Sequence, residues 1–96
     1  MPLSLDDQLT ISPEVMFRHL NDEAVLLDLE SGTYFGLNDV GARTWQLIVE
    51  HARLSAVLDV LVQEYAVDRG AVERDLLELA EQLVARRLAA VQPHAG

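Results

Sequence analysis

The side chains that could do chemistry in this chain do not converge on one another. Of the three histidines, His19 sits in an alternating apolar stretch, His51 near the end of a helical period and His94 close to the C-terminus. A zinc site needs several ligands at defined spacing, and no pair here offers it. All three read as ordinary, partly exposed side chains. The carboxylates Glu73, Asp75, Glu78 and Glu81 are candidates for acid–base work. Glu78 and Glu81 fall on the outer side of an amphipathic period, where charge is usually solvated, and Glu73 and Arg74 read the same way. Asp75 directly precedes an apolar position and borders the apolar stripe. It reads as one half of a salt bridge, or as an anchor for a partner's Arg or N–H. The serines lack the strand-to-helix elbow of a nucleophile, and Gly32, Gly36 and Gly41 do not form a phosphate-cradling loop. The absence of cysteine removes disulfides and thiolate chemistry together. No enzyme signature emerges.

Charge narrows the partners. The formal net charge is −9, and the seven basic residues are all Arg, scattered so that no cluster exceeds Arg86–Arg87. Nucleic-acid binding needs a positive face to neutralise phosphates, so no nucleic-acid partner is expected. An acidic surface favours basic or mixed-charge partners and disfavours anionic membranes. The first residues lack a basic segment followed by an apolar run, and no apolar run is long enough to span a bilayer. A soluble, cytoplasmic protein with no membrane partner is the expectation. The 96 residues, half of them hydrophobic, suit one folded domain with a single core.

The elements follow from periodicity. Residues 1–7 read as a loose tail, and residues 8–11 as a short lead-in strand closed by Ser12 and Pro13. Residues 15–20 alternate, with Val15 and Phe17 on one side and Arg18 on the other. Asn21–Asp22 is a two-residue hairpin signal. In the next strand, residues 24–29, Asp28 is expected to face water. That assigns Val25, Leu27 and Leu29 to the core face and leaves Leu26 half-exposed. Gly32 closes the following turn, and residues 33–37 form the third strand of a meander.

The second half is helical. Asn38 is the expected N-cap of a first helix over residues 38–51, with Val40, Trp45, Ile48 and Val49 along its apolar face. A second helix over residues 54–65 carries Val57, Leu58, Leu61, Val62 and Tyr65, and its cap is unclear. Asp68 caps a third over residues 69–86, whose stripe is Val72, Leu76, Leu79, Ala80 and Leu83, widened by Leu77 and Val84. Residues 88–91 read as a short extended piece against the core, and residues 92–96 as a frayed tail. The order gives an α+β domain: a three-stranded antiparallel sheet followed by three helices, the last two resembling a helix-turn-helix with the sheet as a wing.

One strand stands out. The stretch Thr33-Tyr34-Phe35-Gly36-Leu37 ends the meander with no charge and no proline. Edge strands are usually defended by such residues. An undefended edge is either covered by the protein's own chain or used to add a partner's strand.

The residues Leu27-x-Leu29, Ser31-Gly32-x-Tyr34-Phe35-x-Leu37-Asn38, Gly41 and Trp45, followed by Tyr65, Val72, Asp75, Leu76, Leu79 and Leu83, resemble the PqqD-like family of peptide-binding domains, also called RiPP recognition elements. The resemblance spans residues 9–91, within a domain placed at residues 8–91. It implies a winged helix-turn-helix fold, no catalysis and no cofactor. It implies binding of the leader segment of a ribosomally made precursor peptide, which adds as an antiparallel strand to the third strand and lies against the third helix. A stand-alone chain of this length is similar to the recognition proteins of lasso-peptide pathways, whose partners are a leader peptidase and a cyclase. PqqD itself, a peptide chaperone of cofactor biosynthesis, is also small and is the alternative. A winged-helix DNA-binding regulator is a further alternative, against which the acidic third helix argues. A monomer is expected.

Carried over by position, the resemblance assigns the groove to Thr33, Tyr34, Phe35, Gly36 and Leu37, and on the third helix to Asp75, Leu76, Leu79, Ala80 and Leu83. Periodicity does not separate groove from core among the helix residues. Arg74 meeting a leader carboxylate and Asp75 meeting a leader cation are both open. Family members commonly carry Gly after the third helix, where this chain has Arg87. That departure predicts a different helix end and leaves the groove untouched.

Overall fold

The computed structural model describes residues 3–20 and 23–92. The hairpin turn expected at residues 21 and 22 lies outside them, as do His94 and the last part of the C-terminal tail. The central sheet is a meander of β2 (Val15–Leu20), β3 (Glu23–Asp28) and β4 (Tyr34–Leu37), antiparallel in the order β2-β3-β4. Three helices follow: α1 (Asp39–His51), α2 (Leu54–Tyr65) and α3 (Arg69–Ala85). The order is that of a winged helix-turn-helix, as the sequence predicts. Two shorter strands, β1 (Leu9–Ile11) and β5 (Ala89–Val91), pair with each other and bring the two ends of the chain together. Nothing local in the sequence announces a pairing between segments so far apart.

The face of β3 is opposite to the one expected. Ala24 and Leu26 are buried, Leu26 completely, while Leu29 is exposed. Asp28 lies on the same side as Leu26, but at the strand end. There its carboxylate accepts from the Glu30 N–H (3.1 Å) and the Ser31 hydroxyl (2.8 Å). A carboxylate satisfied by the turn has no need to face water from the sheet, so Asp28 does not set the register. Gly32 completes the turn at φ +75°, a conformation that suits glycine.

The junction of β4 with α1 is as read. The Asn38 side chain accepts from the Gly41 N–H at 2.7 Å. A Cβ on Gly41 would meet Asn38 Oδ1 at 3.2 Å and Leu37 Cδ2 at 3.3 Å, so the helix start approaches the strand closely only because residue 41 lacks one. Trp45 is buried one turn later. Ile48 is buried as expected, but the rest of the α1 face differs. Val40 and Val49 are exposed, while Ala42 and Leu47 are buried, because α1 turns its packed side towards the sheet and α2. Arg43 on α1 grips Glu64 on α2 through two hydrogen bonds, which lower the Glu64 carboxyl below its ordinary pKa and raise that of Arg43.

Helix α2 has no side-chain cap. Its first N–H groups are taken by backbone carbonyls instead: Leu54 donates to Asp7 O (3.1 Å) and Ser55 to Leu5 O (2.9 Å). Leu3 and Leu5, in the segment read as a loose tail, pack against the core. Of the expected α2 stripe, Val57, Leu58 and Leu61 are buried, whereas Tyr65, at the helix end, is exposed.

Helix α3 starts on the expected cap, Asp68, which accepts from the Ala71 N–H at 3.1 Å. Its end departs from expectation. Arg87 adopts φ +62°, its N–H reaches Val84 O (3.0 Å) and the Leu88 N–H reaches Leu83 O (2.9 Å). This is the left-handed closing turn that glycine favours, here made by arginine. The helix ends as a glycine would end it. The hydrophobic contact that accompanies such a turn is available in buried Leu83 and Leu88.

Candidate peptide-binding site

Among the described residues none pairs with the outer edge of β4. Its register decides which backbone groups are free. Asp28 donates to Thr33 O at 2.9 Å, and the pairs that follow are Leu27↔Tyr34, Leu26↔Phe35, Val25↔Gly36 and Ala24↔Leu37. Hydrogen-bonded pairs alternate along an antiparallel ladder. Phe35 and Leu37 therefore direct their backbone groups to β3, and Tyr34 and Gly36 direct theirs outward. A Cβ on Gly36 would meet nothing within 4 Å. The edge is open in both backbone and side chain.

Between this edge and α3 runs a groove of about 390 Å³. One wall is Phe35, Gly36 and Leu37; the other is Val72, Asp75, Leu76, Leu79 and Gln82; Asn38, Val40, Gly41, Thr44 and Leu61 complete it. Apolar surface with a few polar groups is the composition of a ligand groove. Past Phe35 lies a second hollow of about 240 Å³, lined by Ser31, Thr33, Tyr34, Phe35, Arg86 and Leu88. Phe35 borders both, and the Arg86 guanidinium lies over its ring, 5.0 Å from the centroid. Beyond Leu37, at the opposite end, a third hollow is bordered by Glu23 and Asp39.

The structure sorts the residues that periodicity could not. Phe35, Gly36, Leu37, Asp75, Leu76 and Leu79 come together on the main groove, and Thr33 and Tyr34 on the second hollow. Tyr34 and Phe35 point to opposite sheet faces: Tyr34 is 66% exposed, and Phe35 is half-buried against the core. Ala80 and Leu83 are fully buried and line neither space. Arg74 is exposed and also lines neither, so of the two charged neighbours only Asp75 borders the groove. Val72, Gln82 and Arg86 were not among the expected groove residues. Together with Asp75 and Leu79 they follow three- and four-residue steps, the spacing of one helical face, and that signal was available in the sequence.

The family profile described as coenzyme PQQ synthesis protein D (PqqD) matches residues 23–89, which take in β3, β4 and all three helices. The chain belongs to the PqqD family. Among solved structures, this PqqD-family chain is similar to TbiB1 in complex with the TbiA(beta) leader peptide, with 42% identity and a TM-score of 0.75, covering 91% of this chain and 99% of that one. It is also similar to lasso peptide synthetase B1 complexed with the leader peptide, with 31% identity and a TM-score of 0.77, covering 90% and 99%. No curated protein matches the sequence. No helix among the described residues is long and apolar enough to cross a membrane.

Proposed function

We propose that this chain binds the leader segment of a ribosomally made precursor peptide, in a lasso-type pathway, and delivers the precursor to its processing enzymes without turnover of its own. The observation that carries this reading is the open edge of β4, with Tyr34 and Gly36 facing outward along the apolar groove. A leader adding antiparallel to that edge gains up to four backbone hydrogen bonds, two at each outward residue, each contributing roughly 0.5–1.5 kcal/mol. Side chains alternating along it reach the groove bounded by Leu76 and Leu79. Backbone pairing tolerates sequence change, so selectivity rests on the groove. A disordered leader loses entropy on ordering, which moderates the affinity.

The similarity to two proteins solved with leader peptides supports this reading over a chaperone of cofactor biosynthesis. Exposed Asp75, Glu78 and Glu81 on α3 weigh against DNA. A leader peptidase and a cyclase are the partners that the lasso reading proposes. The test is a titration of the purified chain with the leader half of the precursor encoded near it, and separately with duplex DNA. Saturable leader binding and none to DNA is the expected result; a folded chain that ignores that leader overturns it.

A further inference from the structure

Arg86 is held but not neutralised. Its guanidinium rests over the Phe35 ring, and among the described residues it makes no ion pair or hydrogen bond to a carboxylate. Of the two acidic residues in the adjoining turn, Asp28 accepts from the Glu30 N–H and the Ser31 hydroxyl, and Glu30 is exposed; neither pairs with Arg86. On a chain with a net charge of −9, an exposed cation that keeps its donors free beside a hollow of about 240 Å³ is an unspent recognition group. A guanidinium presents paired N–H donors in a planar fork, which is the geometry a carboxylate accepts.

The other end of the same edge has the opposite sign. Asp75 lines the main groove beside Leu37, and Glu23 and Asp39 border the hollow beyond it. Among the residues that line the three hollows the one cation, Arg86, is at the Thr33 end of β4. A strand running antiparallel to β4 enters at the Leu37 end and leaves at the Thr33 end. Its C-terminal part then passes Arg86.

We infer that the hollow formed by Thr33, Tyr34, Phe35 and Arg86 is a carboxylate subsite, which takes an Asp or Glu side chain of the bound peptide just C-terminal to the residues paired with β4. This rests on the strand-addition reading above. The subsite fixes the direction and register of the peptide, which backbone pairing alone leaves degenerate. An added strand running the other way brings its N-terminal part to Arg86 instead.

The test is a set of synthetic variants of the leader encoded near this chain. Each position C-terminal to the paired stretch is set in turn to Glu and to Gln, and binding is measured for the unaltered protein and for Arg86→Gln. At one position Glu is expected to bind about fivefold more tightly than Gln at low salt, a preference that fades as salt rises. Arg86→Gln is expected to abolish the preference. Because the comparison is between two peptides on one protein, any loosening of Phe35 in the variant cancels. Equal binding of Glu and Gln peptides at every position overturns the subsite and leaves leader recognition standing, as does a preference that survives in Arg86→Gln. Failure of every leader variant to bind the folded protein overturns both.

Discussion

Leu88 donates its backbone N–H to the carbonyl of Leu83, 2.9 Å away, and the residue that lets the chain turn back between them, Arg87, sits at φ +62°. A left-handed conformation costs a residue with a Cβ roughly 1–2 kcal/mol. Glycine avoids that strain but loses roughly 0.5–1 kcal/mol more backbone entropy on folding. Arg87→Gly is therefore expected to stabilise the domain by about 0.5–1 kcal/mol. A urea unfolding midpoint that rises supports the assignment; one that falls shows that Arg87 makes a contact worth more than the strain.

Trp45 is 4% exposed, between the sheet and the helices. Trp45→Ala should cost about 3–5 kcal/mol. The total stability of a small domain is roughly 5–15 kcal/mol, so the variant is expected to melt far earlier. An unchanged melting curve would remove Trp45 from the core.

The N-terminal segment should behave as part of α2. Removing residues 1–7 takes away the carbonyls of Leu5 and Asp7 that accept from Ser55 and Leu54, and the packing of Leu3 and Leu5. Two hydrogen bonds and two partly buried side chains suggest a loss of about 2–4 kcal/mol. Hydrogen exchange at the Leu54 and Ser55 amides should accelerate. Unchanged exchange there would mean the segment does not cap the helix.

Gly36→Pro separates binding from folding. The Gly36 N–H faces away from β3, so its loss breaks no bond of the sheet, and proline is tolerated on an edge strand. The variant should fold and bind the leader at least tenfold more weakly, through one lost hydrogen bond and a ring on the edge. A folded variant with undiminished affinity would place the peptide elsewhere.

Much of this was legible in the sequence, because local chemistry settles it. Asn38 and Asp68 cap helices by their own side chains, and the uncharged run through Gly36 marks the open edge. The misread positions are those where a distant or competing partner decides. Spacing alone turns Asp28 to solvent, yet its carboxylate is satisfied by Ser31 and Glu30, which frees Leu26 to be the buried residue. Val49 looked like core by spacing, but only the packing of α1 shows which side is covered. The pairing of Thr10 with Ala90 joins opposite ends of the chain and has no local signature. In the site, Ala80 and Leu83 share the apolar stripe with Leu79, and only the position of β4 separates core from groove. In the sequence Arg86 is only one half of the Arg86–Arg87 pair. Its place over Phe35 depends on α3 and β4 meeting.

Strand addition at β4 is tested most directly by amide hydrogen exchange, read residue by residue with NMR, with and without a saturating leader peptide. In the free protein the Phe35 and Leu37 amides, which face β3, should be protected, and those of Tyr34 and Gly36 should exchange fast. On binding, Tyr34 and Gly36 should gain protection while Phe35 and Leu37 change little. A leader that binds and leaves the Tyr34 and Gly36 amides exchanging as before would contradict the account, because no strand would then be paired to that edge.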